Sequence, residues 1–301
     1  MESPPQLTLY RERCLRSRLN TNKCQRCIEV CSSGALSVNN RKIVLDVARC
    51  TGCMSCVAAC PQDAVTSDFD LDKMLNSFRT GHDIFVSCIR QEQIYPDEIT
   101  LPCVGILSKE VLTAVILCGC RTVSFNVAGC GRCRNYDISN TFQGNCKQIF
   151  EELSESLLTK VTLIDKKEHL PKAKVDRRSF LTKILDTAIN VPKQRFLSKR
   201  ATPVETQNNR RRIPFKTNLL KKVLTNVDQI SQQKIHRLFD HNLVVSEECN
   251  CCPLCKGICP TGAIKIVHSA QIKRLKFTKL DCNGCGLCVE FCKKNALSFE
   301  S

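Results

Sequence analysis

The chain has 301 residues and a formal net charge of +16, and 24 of its residues are cysteines. This length allows two or three domains of ordinary size, and the absence of tryptophan argues against large aromatic cores. The first residues contain no apolar signal region, and no stretch reaches the roughly 18 apolar residues of a membrane span. We therefore expect a cytoplasmic protein whose clustered cysteines bind metal, because disulfide-rich domains belong to secreted chains.

The first region, residues 1–75, contains two cysteine runs. The second run is complete, with the spacing C-x2-C-x2-C-x3-C-P: Cys50, Cys53, Cys56, Cys60 and Pro61. The first run keeps only the last two spacings: Cys24, Cys27 and Cys31. Thr21 occupies the position of its first cysteine, and Cys14 is the nearest substitute.

This spacing is typical of iron–sulfur proteins in which three cysteines of a run bind one cluster and the fourth binds the cluster of the other run. Crossed ligation therefore predicts two sites in this region. Site I takes Cys14, Cys24, Cys27 and Cys60. Site II takes Cys31, Cys50, Cys53 and Cys56. If Cys14 is not a ligand, site I becomes a three-cysteine or [3Fe–4S] centre.

The second region, residues 76–167, carries seven cysteines without that spacing. Apolar, β-branched segments near 82–88, 98–103, 122–130 and 161–165 alternate with helical stretches near 108–118 and 141–158, which predicts an α/β domain with a parallel sheet. Sites in such sheets lie beyond the carboxyl ends of the strands. Four cysteines fall at that edge and predict an extra cluster: Cys88, Cys103, Cys130 and Cys133. We expect Cys118 and Cys120 near the opposite edge, and Cys146 as a buried apolar residue.

The third region, residues 168–243, has no cysteine and is strongly basic. It is predicted to be a helical connector, with an amphipathic helix over 176–190 and further basic residues at Lys199, Arg200 and 210–212. A solvated linker and a docking surface for an acidic partner both remain open. We do not expect a nucleic-acid partner, because nothing in the region is typical of base readout.

The last region, residues 244–301, contains two more runs. The first is complete: Cys249, Cys252, Cys255, Cys259 and Pro260. The second lacks only the proline: Cys282, Cys285, Cys288 and Cys292. Crossed ligation predicts site III from Cys249, Cys252, Cys255 and Cys292, and site IV from Cys259, Cys282, Cys285 and Cys288. Cys251 is off the spacing, so we interpret it as a neighbour of the cluster and not a ligand.

A similar turn follows the last cysteine of every run: SSGAL at 32–36, PQDAV at 61–65, PTGAI at 260–264 and KKNAL at 293–297. With the cysteine runs, these segments resemble the bacterial dicluster ferredoxins at about 10–68 and 246–300. The resemblance implies two [4Fe–4S] clusters per module, a βαββαβ-like fold and one-electron transfer. Structural zinc also uses C-x2-C pairs, but it needs neither the third cysteine nor the fourth of these runs.

The segments LPCVG at 101–105 and AGCGRC at 128–133 resemble the iron–sulfur delta subunit of methyl-viologen-reducing hydrogenase. That resemblance implies a [2Fe–2S] centre and a link between a hydrogenase and heterodisulfide reductase. The family usually opens with a C-x2-C pair where this chain has only Cys88, and its second pair is spaced more widely than Cys130 and Cys133. A docking domain that has lost its cluster therefore also stays open.

These patterns predict an α+β chain in which two ferredoxin-like dicluster modules flank an α/β parallel-sheet domain. The function predicted is that of a polyferredoxin, an electron carrier or oxidoreductase subunit and not a stand-alone enzyme. Its partner would be an oxidoreductase, such as a hydrogenase or heterodisulfide-reductase-like protein, with an acidic docking face. A thiol/disulfide reductase using the middle cysteines and a redox-sensing nucleic-acid binder are the alternatives.

Overall fold

The computed structural model describes residues 6–78, 81–95, 97–153, 161–166, 211–225, 227–239, 241–269 and 272–300. The predicted amphipathic helix at 176–190, together with Lys199, Arg200 and Arg210, lies outside these residues. Among the helices that the structure describes, none is both long and apolar enough to cross a bilayer.

The N-terminal module is built from short elements in the order strand, helices, two strands, helix, strand. They are β1 (Leu7–Leu9), α1 (Leu15–Arg18), α2 (Arg26–Glu29), β2 (Leu36–Asn39), β3 (Lys42–Leu45), α3 (Ser55–Ala59) and β4 (Val65–Ser67). Strand β1 pairs antiparallel with β4, and β2 forms an antiparallel hairpin with β3. Helices of four or five residues are not stable alone in water, so this module depends on packing and on whatever its cysteines bind.

The middle domain contains the parallel sheet that the sequence predicts. After α4 (Leu71–Ser77) come β5 (Asp83–Cys88), β6 (Ile99–Leu101), α5 (Lys109–Ile116), β7 (Thr122–Asn126), α6 (Tyr136–Glu152) and β8 (Val161–Ile164). The strand order is β6–β5–β7–β8, and every neighbouring pair is parallel. Phe125 from the sheet and Phe142 from α6 pack edge to face in the core, with ring centroids 5.2 Å apart.

Helix α6 begins at Tyr136, five residues before the predicted start at 141. Ile138 extends the buried apolar face of this helix by one turn toward its amino end, because it lies one turn before Phe142 and is buried with it. Helix α5 ends at Ile116 because the chain turns at Gly119, whose φ of +79° breaks the helical path.

Two helices from the basic region pack onto this domain: α7 (Phe215–Leu224) and α8 (Gln229–Phe239). Helix α7 contacts α5, and α8 contacts α6. Leu219, Val223 and Ile235 are buried in the same apolar core as Phe125. This part of the predicted connector therefore completes the core of the middle domain.

The C-terminal module has the element order of the first, except that a single α-helix follows its first strand. It consists of β9 (Leu243–Val245), α9 (Leu254–Ile258), β10 (Ile264–Ser269), β11 (Ile272–Phe277), α10 (Leu287–Glu290) and β12 (Leu297–Phe299). Strand β9 pairs antiparallel with β12, and β10 pairs antiparallel with β11.

The repeated turn after each run has one backbone conformation at all four places. Its third residue has positive φ: +61° at Gly34, +48° at Asp63, +76° at Gly262 and +49° at Asn295. Glycine, asparagine and aspartate are the residues that tolerate this left-handed region best. The following alanine is buried in every copy, and the next residue begins a strand.

Candidate metal centres

The thiols of site I lie around one cavity. Cys14, Cys24, Cys27 and Cys60 all line a space of about 40 Å³ in the N-terminal module. Burial, together with the nearby thiols of Cys60, Cys24 and Cys14, raises the pKa of Cys27 to about 12. The structure thus brings together the four cysteines that the crossed pattern groups, including the one outside the regular spacing.

Thr21 shows why the regular spacing fails here. Its hydroxyl donates a hydrogen bond to Glu290 Oε1 at 2.7 Å, which directs this position toward the C-terminal module. Cys14 instead lies just before α1, where the buried side chain of Leu15 anchors the chain. Burial raises the pKa of Cys14, with added contributions from the thiols of Cys24 and Cys60.

Site II lies next to site I. Cys31, Cys50, Cys53 and Cys56 line a second cavity of about 10 Å³. Burial raises the pKa of Cys56, and the neighbouring thiols of Cys53, Cys27, Cys31 and Cys50 contribute in the same direction. Cys27 of site I and Cys56 of site II are buried in the same apolar cluster, so the two sets of cysteines lie side by side.

Site IV forms the equivalent group in the C-terminal module. Burial, together with the thiols of Cys285, Cys282 and Cys259, raises the pKa of Cys288 to about 12. Cys259 comes from the other run, as crossed ligation requires. For site III, burial raises the pKa of Cys255, with contributions from Cys252 and Cys249. Its predicted fourth member, Cys292, packs against the same small core as Cys255.

The fifth cysteine of the 249–260 stretch occupies a glycine position. Gly52 and Gly284 precede the second cysteine of their runs with φ of +68° and +61°, and Cys251 takes the equivalent place with φ of +54°. Its thiol donates to the carbonyl oxygen of Lys273 on β11 at 3.4 Å. The thiol of Cys251 is therefore hydrogen-bonded to the backbone of a neighbouring strand.

Backbone N–H groups point at several of the sulfur atoms. Ala64 N lies 3.2 Å from Cys60 Sγ, and Ala296 N lies 3.3 Å from Cys292 Sγ. Both alanines belong to the repeated turn. The left-handed residue before each alanine therefore directs the N–H of that alanine toward the last cysteine of the run. Hydrogen bonds to cluster sulfur atoms are one of the factors that set reduction potential.

The middle domain has its own group of thiols at the predicted edge of the sheet. Cys88, Cys103, Cys130 and Cys133 line a cavity of about 310 Å³. Cys88 ends β5, Cys103 follows β6, and the other two follow β7. Burial raises the pKa of Cys103 to about 12, with contributions from Cys88, Cys53 and Cys130.

Polar side chains surround this cavity. Arg90, Arg132 and Arg134 line it, and Arg90 Nη1 lies 3.7 Å from Cys133 Sγ. The side-chain amide of Asn135 also lines it, is 4% exposed and has no hydrogen-bond partner within the described residues. A buried amide without a partner is costly, so the cavity is suited to a group that offers one.

The other three cysteines of this domain lie apart from the cavity. Cys118 and Cys120 are buried near the amino ends of β5 and β7, with their sulfur atoms 2.9 Å apart. Cys146 is buried on α6, and burial raises its pKa to about 12.

One residue of the site was not identified from the sequence. Lys216 is 7% exposed, and its ammonium donates to the carbonyl oxygens of Val57, Ala58 and Cys60 at 3.1, 2.6 and 2.6 Å. The ammonium thus supplies hydrogen-bond donors to the carbonyl groups at the end of α3, beside Cys60 of site I. In the sequence Lys216 is one of many lysines of a basic region, and nothing there marks it as buried.

The thiol groups fit clusters held by four thiolates. Four cysteines line a cavity in each of site I, site II and the middle group. Four thiolates are the donor set of [2Fe–2S] and [4Fe–4S] clusters. In the part of the chain that the structure describes, no three Cys, His, Asp or Glu side chains already converge as ligands of a single metal ion.

Two segments of the chain match known families. Residues 21–71 match the family of 4Fe-4S dicluster domains, and residues 276–298 match the family of 4Fe-4S binding domains. Comparison with curated proteins and with solved structures gave no match. The chain therefore contains two ferredoxin-type domains of the 4Fe–4S class, one near each end, which supports 4Fe–4S clusters as its cofactors. The matched segments include neither Cys14 nor the middle domain.

Proposed function

We propose that the chain is a polyferredoxin that passes single electrons through four [4Fe–4S] clusters to or from an oxidoreductase partner. The observation that carries this proposal is the set of thiols around the first cavity, where Cys60 from one run joins Cys14, Cys24 and Cys27. Crossed membership of this kind is the arrangement of two-cluster ferredoxins.

Each cluster, when bound, would supply a group that gains and loses one electron without breaking bonds. The protein would hold it, exclude water from it and set its charge environment. Cations near a cluster favour its reduced, more negative state. Arg26 lines the first cavity, and the buried ammonium of Lys216 lies at the backbone of Cys60.

The middle domain would hold the site at which the partner exchanges electrons. Its four thiols fit a [2Fe–2S] centre, and the three arginines around the cavity offer a cationic surface to a partner with an acidic face. A domain that docks the partner without a cluster is the other form of the same proposal.

A thiol/disulfide reductase is the second candidate, because the middle cavity of about 310 Å³ could take a small disulfide beside its thiols. This candidate predicts that the reduced, isolated protein converts a small disulfide to two thiols, while two thiols of the cavity give up two electrons and two protons and form a disulfide. Cys103→Ser should then abolish turnover, whereas Cys146→Ser should not. No turnover in isolation would exclude it.

The first experiment is iron and acid-labile sulfide analysis after anaerobic purification, with EPR of the dithionite-reduced protein. About 16 iron per chain with magnetically coupled signals supports four [4Fe–4S] clusters and no cluster in the middle domain. About 18 iron, with a more slowly relaxing additional signal, supports a [2Fe–2S] centre there. Zinc in place of iron overturns the proposal.

A further inference from the structure

The loops that carry the five groups of cysteines form a series in space, in which each loop contacts the next. Resting on the proposed function, we infer that the five groups form one continuous row, in the order middle group, site II, site I, site IV, site III. The chain would then be a single conduit with two ends, not a pair of independent carriers joined by a linker.

The middle group joins site II through the loop after Cys50. Thr51 O accepts hydrogen bonds from Arg90 Nη2 at 2.6 Å and from Arg134 Nη2 at 3.4 Å. The other terminal nitrogen of Arg90 faces Cys133 Sγ. The carbonyl of Cys53 lies against Cα of Gly105, where any side chain would collide with it. One arginine and one close backbone contact thus connect the two groups.

Sites II and I lie next to each other within the N-terminal module. Cys27 belongs to site I and Cys56 belongs to site II. The same two cysteines are buried in one apolar cluster with Cys60.

The junction between the two terminal modules lies between sites I and IV. Asn283 Nδ2 donates to Pro61 O at 2.7 Å, and Arg26 Nη2 donates to Gly284 O at 2.8 Å. Pro61 follows Cys60 of site I, whereas Asn283 and Gly284 lie between two cysteines of site IV. The pathway from site I to site IV therefore needs only one hydrogen bond between two ligand loops.

Arg26 has a special position at this junction. It precedes Cys27 and lines the cavity of site I, and its guanidinium also reaches the carbonyl oxygen of Gly284, the residue before Cys285 of site IV. A single cation thus acts on both sites. Thr21 and Asn22 add hydrogen bonds to Glu290 across the same interface, at 2.7 and 2.6 Å.

Site IV is joined to site III by crossed ligation inside the C-terminal module. Cys259 of site IV ends the run that supplies Cys255 to site III, and Cys255 and Cys288 are buried in one apolar cluster. At each junction a single electron would pass from one site to the next, and no atom would be transferred. The row therefore needs a one-electron reductant at one end and a one-electron oxidant at the other.

The test is an EPR-monitored potential series on the full, anaerobically reconstituted chain and on Arg26→Gln. If the two modules form one row, removal of this cation should lower the potential of two reduction steps, one in site I and one in site IV. The matched control is Arg237→Gln, which removes the same charge from the exposed face of α8 and should shift neither step comparably. If Arg26→Gln keeps its full iron count and the potential of only one step shifts, or of neither, the row is overturned and the proposed function stands.

A second measurement covers the case in which Arg26→Gln loses iron. Asn283→Ala removes the hydrogen bond to Pro61, and the control Asn242→Ala removes an exposed bond to Glu300 in the same module. Spin–spin interaction between the reduced modules should weaken in Asn283→Ala alone. Equal interaction in the two variants overturns the row, whereas a wild-type chain without iron overturns the proposed function itself.

Discussion

The ammonium of Lys216 donates a hydrogen bond to the carbonyl oxygen of Cys60, which lies 156 positions earlier in the chain. Lys216 belongs to α7, and α7 packs on α5 of the middle domain. At the start of the same helix, Phe215 N donates to Asp63 Oδ2 at 2.6 Å. Helix α7 therefore fixes the end of a ligand run to the domain beside it.

Replacement of Lys216 by methionine should destabilise the N-terminal module. The methionine fills similar space but leaves one buried and two partly buried carbonyl groups without this donor. An unsatisfied buried group costs about 1–3 kcal/mol. We expect a lower midpoint of chemical unfolding and fewer iron atoms per chain. Lys147→Met, on an exposed position of α6, is the control and should change neither. An unchanged midpoint in Lys216→Met would show that water can replace the ammonium.

Cys251→Gly should stabilise the protein without loss of iron. A residue other than glycine at a left-handed φ costs roughly 1–2 kcal/mol, and the equivalent positions of two other runs are already glycine. The variant loses the hydrogen bond to Lys273 O, which is worth about 1 kcal/mol, so the net gain should be about 0.5 kcal/mol. Chemical unfolding with iron analysis measures both effects. Cys252→Gly is the matched comparison and should lose one cluster, and a similar loss in Cys251→Gly would make Cys251 a ligand.

Cys14→Ser should change site I alone. With one of its four thiolates removed, site I should lose its iron or retain a [3Fe–4S] centre with a distinct EPR signal in the oxidised protein. The double variant Cys14→Ser with Thr21→Cys should not recover the cluster, because residue 21 faces Glu290. Recovery in the double variant would show that the regular spacing can still form the site.

Spacing alone predicts the groups of cysteines where the run is regular, and it leaves the irregular run open. The distance along the chain from Cys14 to Cys24 does not reveal that a short helix anchored by Leu15 returns Cys14 to the cavity. The parallel sheet was predictable because its strands are apolar, β-branched and separated by helical segments. The start of α6 was missed because its first turn contributes only Ile138 to the core.

Long-range polar contacts are what the sequence could not reveal. Lys216 and Arg26 resemble the many other basic residues of this chain, and only the fold shows that one is buried and the other bridges two modules. The repeated turn was visible as a pattern. The left-handed residue that all four copies share, and the N–H that it directs at a sulfur atom in two of them, required the backbone geometry.

Gly105→Ala should disturb site II and the middle group together. A methyl group at residue 105 would collide with the carbonyl oxygen of Cys53 and with the side chains of Ser55 and Ile138. Because Cys53 belongs to site II and Ile138 lines the middle cavity, iron analysis and EPR should show losses at both places. Gly144→Ala is the control, since it meets no atom within 4 Å and should stabilise α6 by about 1 kcal/mol. Full iron in Gly105→Ala would mean that the two loops separate without consequence.

The buried thiol of Cys146 predicts a specific dependence of stability on pH. Burial raises its pKa from 9.0 to about 12, so the folded chain keeps a proton there that the unfolded chain releases as pH rises through about 9. Its contribution to stability is fully present below pH 9 and falls by roughly 1.4 kcal/mol per pH unit between the two values. Cys146→Ala should cost about 1 kcal/mol at pH 7 through lost packing. By pH 10.5 it should be at least as stable as the wild type, measured by urea unfolding of the two chains in parallel. A difference that stays constant from pH 7 to 10.5 would mean that this thiol ionises as readily in the folded chain as in the unfolded one.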